Sequence, residues 1–350
     1  MTYLRPNFRH PDSPVNRIGL TEKEYEGSLS TLCAGCGHDS ISGAIVQACF
    51  ELAIEPHRVA KLSGIGCSSK TPTYFLGKSH GFNSVHGRMP SITTGANLAN
   101  RDLIYLGVSG DGDSASIGMG QFAHVVRRNL NMLYIMENNG CYGLTKGQTS
   151  ATTDLESKNK AGVVNHFSPI DLTNLALQLG ATFVARSFSG DKHQLVPLIK
   201  AAISHRGFAF IDVISPCVTF NNNPGSKKSY DFVREHCEAT ATVDYVPMAT
   251  EITTDYAPGT TQDVTLHDGS VIRLLKPKDN YQANDRRAAL RALKDAEAEG
   301  EILTGLLYVD TDPTDLHDNL RTLRKPLNSL DESALCPGNA TLQTINDSFR

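Results

Sequence analysis

The sequence predicts an α/β fold: a doubly wound, mostly parallel sheet followed by a C-terminal extension. Three observations carry this. Apolar runs of strand length recur at 58–63, 103–109, 131–137, 182–186 and 208–215. Segments with helical spacing separate most of these runs, and parallel neighbours need such crossovers. Beyond about residue 240 the alternation stops, and a hairpin pattern and one charged, Ala-rich helix replace it. The expected organisation is an N-terminal arm over 1–27, a main domain over 28–240 and an extension over 241–350.

Taken in order, residues 1–27 are Pro-rich and polar, and read as an extended arm lying on another surface, another subunit being one option. Cys33-Ala34-Gly35-Cys36 is a C-x-x-C loop running into a helix over 40–52, whose apolar positions Ile41, Ala44, Ile45, Ala48 and Leu52 share a face. A strand at 58–63 leads into a glycine turn at 64–70, which carries Cys67. Residues 87–95 read as a small-residue turn before a short helix at 96–100. The strand 103–109, the helix 117–128 with two arginines at its C-terminus, and the strand 131–137 follow. After a polar loop at 149–166, a helix is expected at 170–179 with Gly180 as its stop. A strand at 182–186, a helix at 192–205 and a strand at 208–215 complete the main domain. In the extension, 263–275 reads as a β-hairpin turning at 267–270, and Asn284 as the cap of a helix over 285–299. The last forty residues show little periodicity.

Composition narrows the function. A chain of 350 residues is long enough for one large or two ordinary domains, and 40% hydrophobic with 20% charged residues is ordinary for a soluble protein. A net charge of −4 argues against nucleic acid or a membrane surface as partner. No apolar run approaches the length of a membrane span and the first residues carry no apolar signal region, so a cytoplasmic location is expected. In a reducing compartment the eight cysteines are not a disulfide framework but buried thiols, catalytic groups or metal ligands.

The stretch 103–148 organises the rest. Two strands joined by a helix are parallel neighbours whose C-terminal ends share one edge of the sheet. Asp111 ends the first and Asn139 the second, so two hard oxygen ligands converge there. Gly110 and Gly112 let the backbone approach a phosphate, and the following helix N-terminus favours an anion. A carboxylate, an amide oxygen and a backbone carbonyl are what Mg²⁺ takes when diphosphate and water complete its octahedron. The bland reading, an ordinary turn and an ordinary loop, does not account for the joint spacing. Cys33, Cys36, Cys67 and Cys217 form a second constellation, each on a glycine- or proline-flanked turn. Soft thiolates suit zinc or an iron–sulfur cluster, and the spacing leaves both open. A redox dithiol would explain Cys33 and Cys36 but leave Cys67 and Cys217 without a purpose. Cys49, Cys141, Cys237 and Cys336 read as buried or incidental thiols.

GDG followed by NN after a strand-length gap resembles the thiamine diphosphate signature. With the cysteines and the segments CAGCGH, GIGCSSKTP, HGRMP, GDGDSASIG, RRN, NNGCYGLTKGQTS and SPCVTFNN, residues 28–235 resemble the β subunit of 2-oxoacid:ferredoxin oxidoreductases. The extension is similar to the tail of the longer 2-oxoglutarate type. The resemblance implies the diphosphate-binding half of a thiamine-diphosphate fold. Cys33, Cys36, Cys67 and Cys217 would hold a 4Fe–4S cluster. Asp111, Asn139 and the Cys141 carbonyl would hold Mg²⁺; Gly110, Gly112 and Asp113 would cradle the diphosphate, with Ser68 also on the cofactor. It further implies Lys70 as the grip on the distal carboxylate of 2-oxoglutarate and Lys146 as a coenzyme A contact. His38, His86 and Arg88 are given no catalytic role.

The implied reaction is reversible oxidative decarboxylation of 2-oxoglutarate with CoA to succinyl-CoA and CO₂, with ferredoxin reduced; pyruvate or another 2-oxoacid is the second choice. The glutamate that activates the cofactor is expected on an α subunit, within an (αβ)₂ assembly, so this chain alone is expected to be inactive. Two other classes share parts of the pattern. A non-redox thiamine-diphosphate decarboxylase has no use for four cysteines, and a pure electron carrier has none for Asp111 and Asn139.

Overall fold

In the computed structural model, which describes residues 10, 12–159, 162–215, 217, 252–265, 271–278, 280–336 and 338–350, one sheet holds seven strands. These are β1 (Val59–Ser63), β2 (His80–Asn83), β3 (Ile104–Gly110), β4 (Met132–Asn138), β7 (Phe183–Phe188), β8 (Phe208–Ile214) and β12 (Gly305–Val309). Their order across the sheet is β2-β1-β3-β4-β8-β7-β12. All pairings are parallel except that of β12, which runs antiparallel to β7. Two short strands, β5 (Cys141–Tyr142) and β6 (Gln148–Thr149), pair antiparallel beyond the end of β4.

The chain steps from β1 outward to β2 and then returns across β1 to place β3 on its other side. The connection therefore reverses between β1 and β3, and the crevice outside the carboxyl ends of such strands is where open α/β sheets bind ligands. Register fixes what meets there: Gly110 of β3 is paired with Glu137 of β4, so Asp111 and Asn139 emerge as near neighbours.

Helices cover both faces. On one lie α1 (Gly37–Glu51) and α5 (Lys192–Ser204), packed on Leu106, Val108, Leu133 and Ile135. On the other lie α2 (Met89–Ala99), α3 (Met119–Arg127), α4 (Leu172–Leu179) and α6 (Arg286–Ala298), over Tyr105, Met132, Tyr134 and Met136. Strand β4 alternates strictly between the two, and burial on both sides explains its unbroken apolar run. Phe122 of α3 sits edge-on to Tyr134 and Phe210, with centroids 5.5 and 5.1 Å away.

Several expectations need correction. Helix α2 starts at Met89, not 96: Pro90 lies in its first turn, where no amide needs an intrahelical partner. Between the expected strand 103–109 and helix 117–128 lies a π-helical turn, Gly112–Ile117, closed by Gly118 N donating to Asp113 O at 2.8 Å. The turn carrying Cys67 is a 3₁₀ helix, Cys67–Thr73. Strand β2 was not expected, because His80–Asn83 carries no apolar pattern and all four residues are exposed at the sheet edge. The cap of α6 is Asp285 rather than Asn284; its carboxylate accepts from Arg287 N and Ala288 N. The final residues, expected to lack periodicity, include helices α7 (Leu316–Leu320), α8 (Glu332–Leu335) and α9 (Asn339–Ser348). The arm lies on this chain's own α1: Asn16 Nδ2 donates to Phe50 O at 3.0 Å, and Tyr25 is fully buried. The strands of the expected hairpin are β9 (Thr261–Thr265) and β10 (Val271–Leu275), with β11 (Ile302–Leu303) beside β10; the turn at 267–270 and Cys237 lie outside the described residues.

The extension is anchored to the main sheet. Besides β12, Lys276 pairs with buried Asp191 at 2.9 Å, and Arg286 Nη2 donates to Ala181 O at 3.1 Å. Among the described residues, no helix is long and apolar enough to cross a membrane.

Candidate active site

A cavity opens at the crevice between the carboxyl ends of β1 and β3. The turn after β1 supplies Gly66, Cys67 and Ser68; the turn after β3 supplies Gly110 to Asp113; the segment after β4 supplies Asn139 and 141–145. His38 and His86 complete the wall.

Asp111 is buried, with Thr152 Oγ1 donating to Oδ2 at 2.7 Å and Asn139 N to Oδ1 at 3.4 Å. Burial pushes its carboxyl above the ordinary range, and hydrogen bonds from Ser150, Thr152 and Asn139 oppose that. No cationic side chain pairs with Asp111 among the described residues. A buried carboxylate so placed calls for a cation, and with the Asn139 amide beside it the donor set is hard oxygen, which suits Mg²⁺. Asn139 Oδ1 also accepts from Cys141 N at 3.1 Å, which fixes the bend that carries the Cys141 carbonyl. Ser68 Oγ is buried in the wall with no hydrogen-bond partner among the described residues, an orphan of the kind a bound ligand satisfies.

Asp113, expected in the diphosphate cradle, turns its carboxylate elsewhere. Oδ1 accepts from Ile65 N at 3.1 Å and Gly87 N at 2.7 Å, and Oδ2 accepts from Ser109 Oγ at 2.6 Å. His86 Nδ1 lies 2.5 Å from Oδ1. This carboxylate ties the π-helical turn to the loops after β1 and β2, and a phosphate finds only backbone at this residue. A Cβ on Gly64 would lie 1.7 Å from Asp113 Oδ2, so only glycine fits there. The space over Gly112 is likewise filled, by the Tyr142 ring, whose hydroxyl donates to Gly112 O at 3.1 Å.

The four cysteines approach this edge. Cys36 caps α1, Cys67 opens the 3₁₀ helix, and Cys217 follows β8 by three residues. Cys67 Sγ and Cys217 Sγ both face Gly143, at 3.3 and 3.8 Å from where its Cβ would be. Burial pushes the Cys67 thiol up to about 11, with negative Cys217 and Cys33 adding to it and Lys70 opposing it. Burial raises Cys36 as well, with Cys217 again contributing. Thiols this close favour the thiolate state when cations lie among them. No three His, Cys, Asp or Glu side chains among the described residues meet closely enough for a single metal ion. Among the described residues, none of the four is joined in a disulfide.

Beneath the cavity, His38 Nδ1 meets Ser215 Oγ at 2.5 Å and lies 3.8 Å from Glu137 Oε2. Burial lowers the imidazole to about 4 and raises the Glu137 carboxyl well above its usual range. Lys70 and Lys146 are not in the cavity wall. Lys70 is half-buried one turn from Cys67, and Lys146 is exposed in the β5–β6 loop at φ 82°. Sequence reasoning missed Thr152, which no motif marks, and passed over His86, whose only signal was its place in HGRMP.

A family model described as thiamine pyrophosphate enzyme, C-terminal TPP binding domain, matches residues 64–213, which defines the class of the central domain. The 2-oxoacid:ferredoxin oxidoreductase subunit beta of Sulfolobus sp. is 42% identical over 203 residues, 57% of this chain and 65% of that subunit. The 2-oxoglutarate synthase subunit KorB of Methanocaldococcus jannaschii is 38% identical over 204 residues, 58% of this chain and 75% of that subunit. A solved structure of 2-oxoglutarate:ferredoxin oxidoreductase from Magnetococcus marinus with 2-oxoglutarate, coenzyme A and succinyl-CoA bound is 30% identical, with a TM-score of 0.70 over 90% of this chain and 94% of that one. The chain belongs to the family of 2-oxoacid:ferredoxin oxidoreductase β subunits. Its match to the Sulfolobus subunit spans 65% of that subunit's length, just under two-thirds.

Proposed function

We propose that this chain is the β subunit of a cytoplasmic, ferredoxin-dependent 2-oxoglutarate oxidoreductase that forms or consumes succinyl-CoA. The observation that carries this is the meeting of the buried Asp111–Asn139 pair with Cys67 and Cys217 on one sheet edge, one glycine apart at Gly143. Asp111, Asn139 and the Cys141 carbonyl hold Mg²⁺; backbone amides at Gly110 and Gly112 and the Ser68 hydroxyl hold the diphosphate. Cys33, Cys36, Cys67 and Cys217 hold a 4Fe–4S cluster. Bound there, thiamine diphosphate would supply carbanion and electron-sink chemistry, and a cluster held by the cysteines would supply one-electron chemistry. The chain's own residues bind and orient. Thr152 fixes the Asp111 carboxylate, Tyr142 holds the diphosphate turn, and Leu144 and Ile65, both partly exposed, present an apolar rim for the α subunit. That subunit brings the activating glutamate, in an (αβ)₂ assembly that passes electrons to ferredoxin. The extension 241–350 adds subunit contacts.

For substrate, Lys70 on the wall-forming turn offers a cation to a distal carboxylate, and Lys146 on the exposed loop offers one to coenzyme A. The names of the Methanocaldococcus and Magnetococcus relatives point the same way. Comparing kcat/KM for 2-oxoglutarate and pyruvate in the αβ complex and in Lys70→Ala tests this. Losing one charge-assisted hydrogen bond predicts a loss of about tenfold or more on 2-oxoglutarate with pyruvate nearly unchanged. Equal losses on both substrates would refute the carboxylate grip, and pyruvate preference in the unsubstituted complex would make this a pyruvate enzyme.

A further inference from the structure

We propose that Asp212, held by Arg186, is a positioning residue for the Asp111 carboxylate and acts on it across three hydrogen bonds, through Asn138 and Thr152. This rests on the Mg²⁺ site of the reading above. Thr152 lies in the loop between β6 and α4, so neither a strand ladder nor a helix fixes its side chain. Its hydroxyl has one proton and two acceptors, Asp111 Oδ2 at 2.7 Å and Asn138 Oδ1 at 3.1 Å. The nearer carboxylate oxygen takes the larger share, and the Asn138 oxygen holds the hydroxyl from the sheet side.

Which end of the Asn138 amide faces Thr152 is decided one strand further on. Asn138 Nδ2 donates to Asp212 Oδ1 on β8 at 3.2 Å, which leaves the oxygen end for Thr152. Turning the amide over would set its oxygen against a carboxylate oxygen, acceptor against acceptor. Asp212 is itself held. Its Oδ2 accepts from Arg186 Nε at 3.0 Å and Thr173 Oγ1 at 3.2 Å, and Arg186 Nη2 donates to Asp171 Oδ1 at 2.6 Å. The Asp212 carboxyl is 3% exposed. Burial pushes it up and the Arg186 guanidinium opposes that, which favours the acceptor-only form the Asn138 amide requires.

Tying α4 to β7 and β8 uses only Oδ2 of Asp212. Oδ1 serves Asn138 alone, and Asn138 is the residue before Asn139. The two oxygens of one buried carboxylate therefore divide between holding the fold and orienting the groups around Asp111. Partners beyond the ligands fix how a ligand meets its metal, and losing one costs about ten- to a hundredfold in affinity. Asp212 stands behind such a partner, so its effect is smaller and passes through Thr152.

The test is Mn²⁺ binding, read by EPR of the free ion, to the cofactor-stripped αβ complex with saturating thiamine diphosphate; Mn²⁺ takes the same hard-oxygen ligands as Mg²⁺. Thr152→Val should weaken Mn²⁺ by about tenfold and Asp212→Ala by about three- to tenfold, since Arg186 keeps Asp171 and is not stranded. The double variant should lose at most about twofold beyond Thr152→Val alone, because both substitutions cut one path. Thr173→Val removes a different partner of Asp212 and should leave Mn²⁺ affinity within about twofold, which separates positioning from general loosening. Unchanged affinity in Asp212→Ala, losses that multiply in the double variant, or an equal loss in Thr173→Val would overturn the positioning role and leave the metal site standing. If Asp212→Ala does not assemble with α, Asn138→Ala, which keeps the Arg186–Asp212 pair, replaces it in the same cycle. Losses that do not multiply with Thr152→Val then support the role, and losses that multiply overturn it. An unsubstituted complex that binds no Mn²⁺ would overturn the metal site and the role together.

Discussion

Replacing Asp113 by alanine should loosen two loops that are distant in sequence but share one carboxylate. The substitution strands the Ile65 and Gly87 amides, now bonded at 3.1 and 2.7 Å, and the Ser109 hydroxyl, now at 2.6 Å. Asp113 is 3% exposed, so these donors lose their partner where bulk water does not reach. A buried donor left unsatisfied costs about 1–3 kcal/mol, which for the two amides gives about 2–6 kcal/mol. Ser109 can rotate toward Ser114, and a water can enter the space of the lost carboxylate, so the lower half of that range is expected. The assay is amide hydrogen exchange on the αβ complex, read at Ile65 and Gly87. Protection at both should fall by about thirty- to several hundredfold, at about 1.4 kcal/mol per factor of ten, while the interior of β4 keeps its own. Asp113→Asn keeps an acceptor for both amides and should lose less. Unchanged exchange at both positions in the alanine variant would refute the role given to this carboxylate.

Two further predictions concern stability. Lys61 is buried, donates to Phe75 O and Leu76 O at 2.5 and 3.0 Å, and is lowered to about 8 by burial. The unfolded lysine keeps its proton up to about 10.4, so between these values the unfolded chain binds more protons and stability rises with pH, by at most about 3 kcal/mol. Urea unfolding of the complex from pH 7.5 to 10 should show the unsubstituted protein gaining on Lys61→Met; a gap that does not change with pH would refute this. Phe122→Ala removes the fully buried ring shared by Tyr134 and Phe210 and should cost about 3–5 kcal/mol, read as a fall in urea midpoint; a loss below about 1 kcal/mol would contradict the packing described.

The parts of the molecule that are legible in the sequence are those set by local pattern. Strands β3 and β4 are buried on both faces, so their residues form unbroken apolar runs, and Asp111 and Asn139 mark their ends. Strand β2 escapes because an exposed edge strand needs no apolar residue. The start of α2 hides because Gly87 and Pro90 read as turn signals, although proline is at home in a first helical turn. The direction of the Asp113 side chain is illegible for a different reason. Its partners at 65, 87 and 109 arrive only when three loops fold across one sheet edge, and spacing within GDGD does not say which way a carboxylate points. The same holds for Thr152, brought to Asp111 from 41 residues away by a loop without a motif.

The most direct test of the central claim is anaerobic: iron and sulfide analysis of the αβ complex, followed by EPR after adding 2-oxoglutarate without CoA. The account predicts iron and sulfide equal to one 4Fe–4S cluster for the Cys33, Cys36, Cys67 and Cys217 set, and a reduced-cluster signal that appears with substrate and is lost in Asp111→Ala. A fully active complex without iron and sulfide at that set, or a cluster that 2-oxoglutarate never reduces, would contradict it.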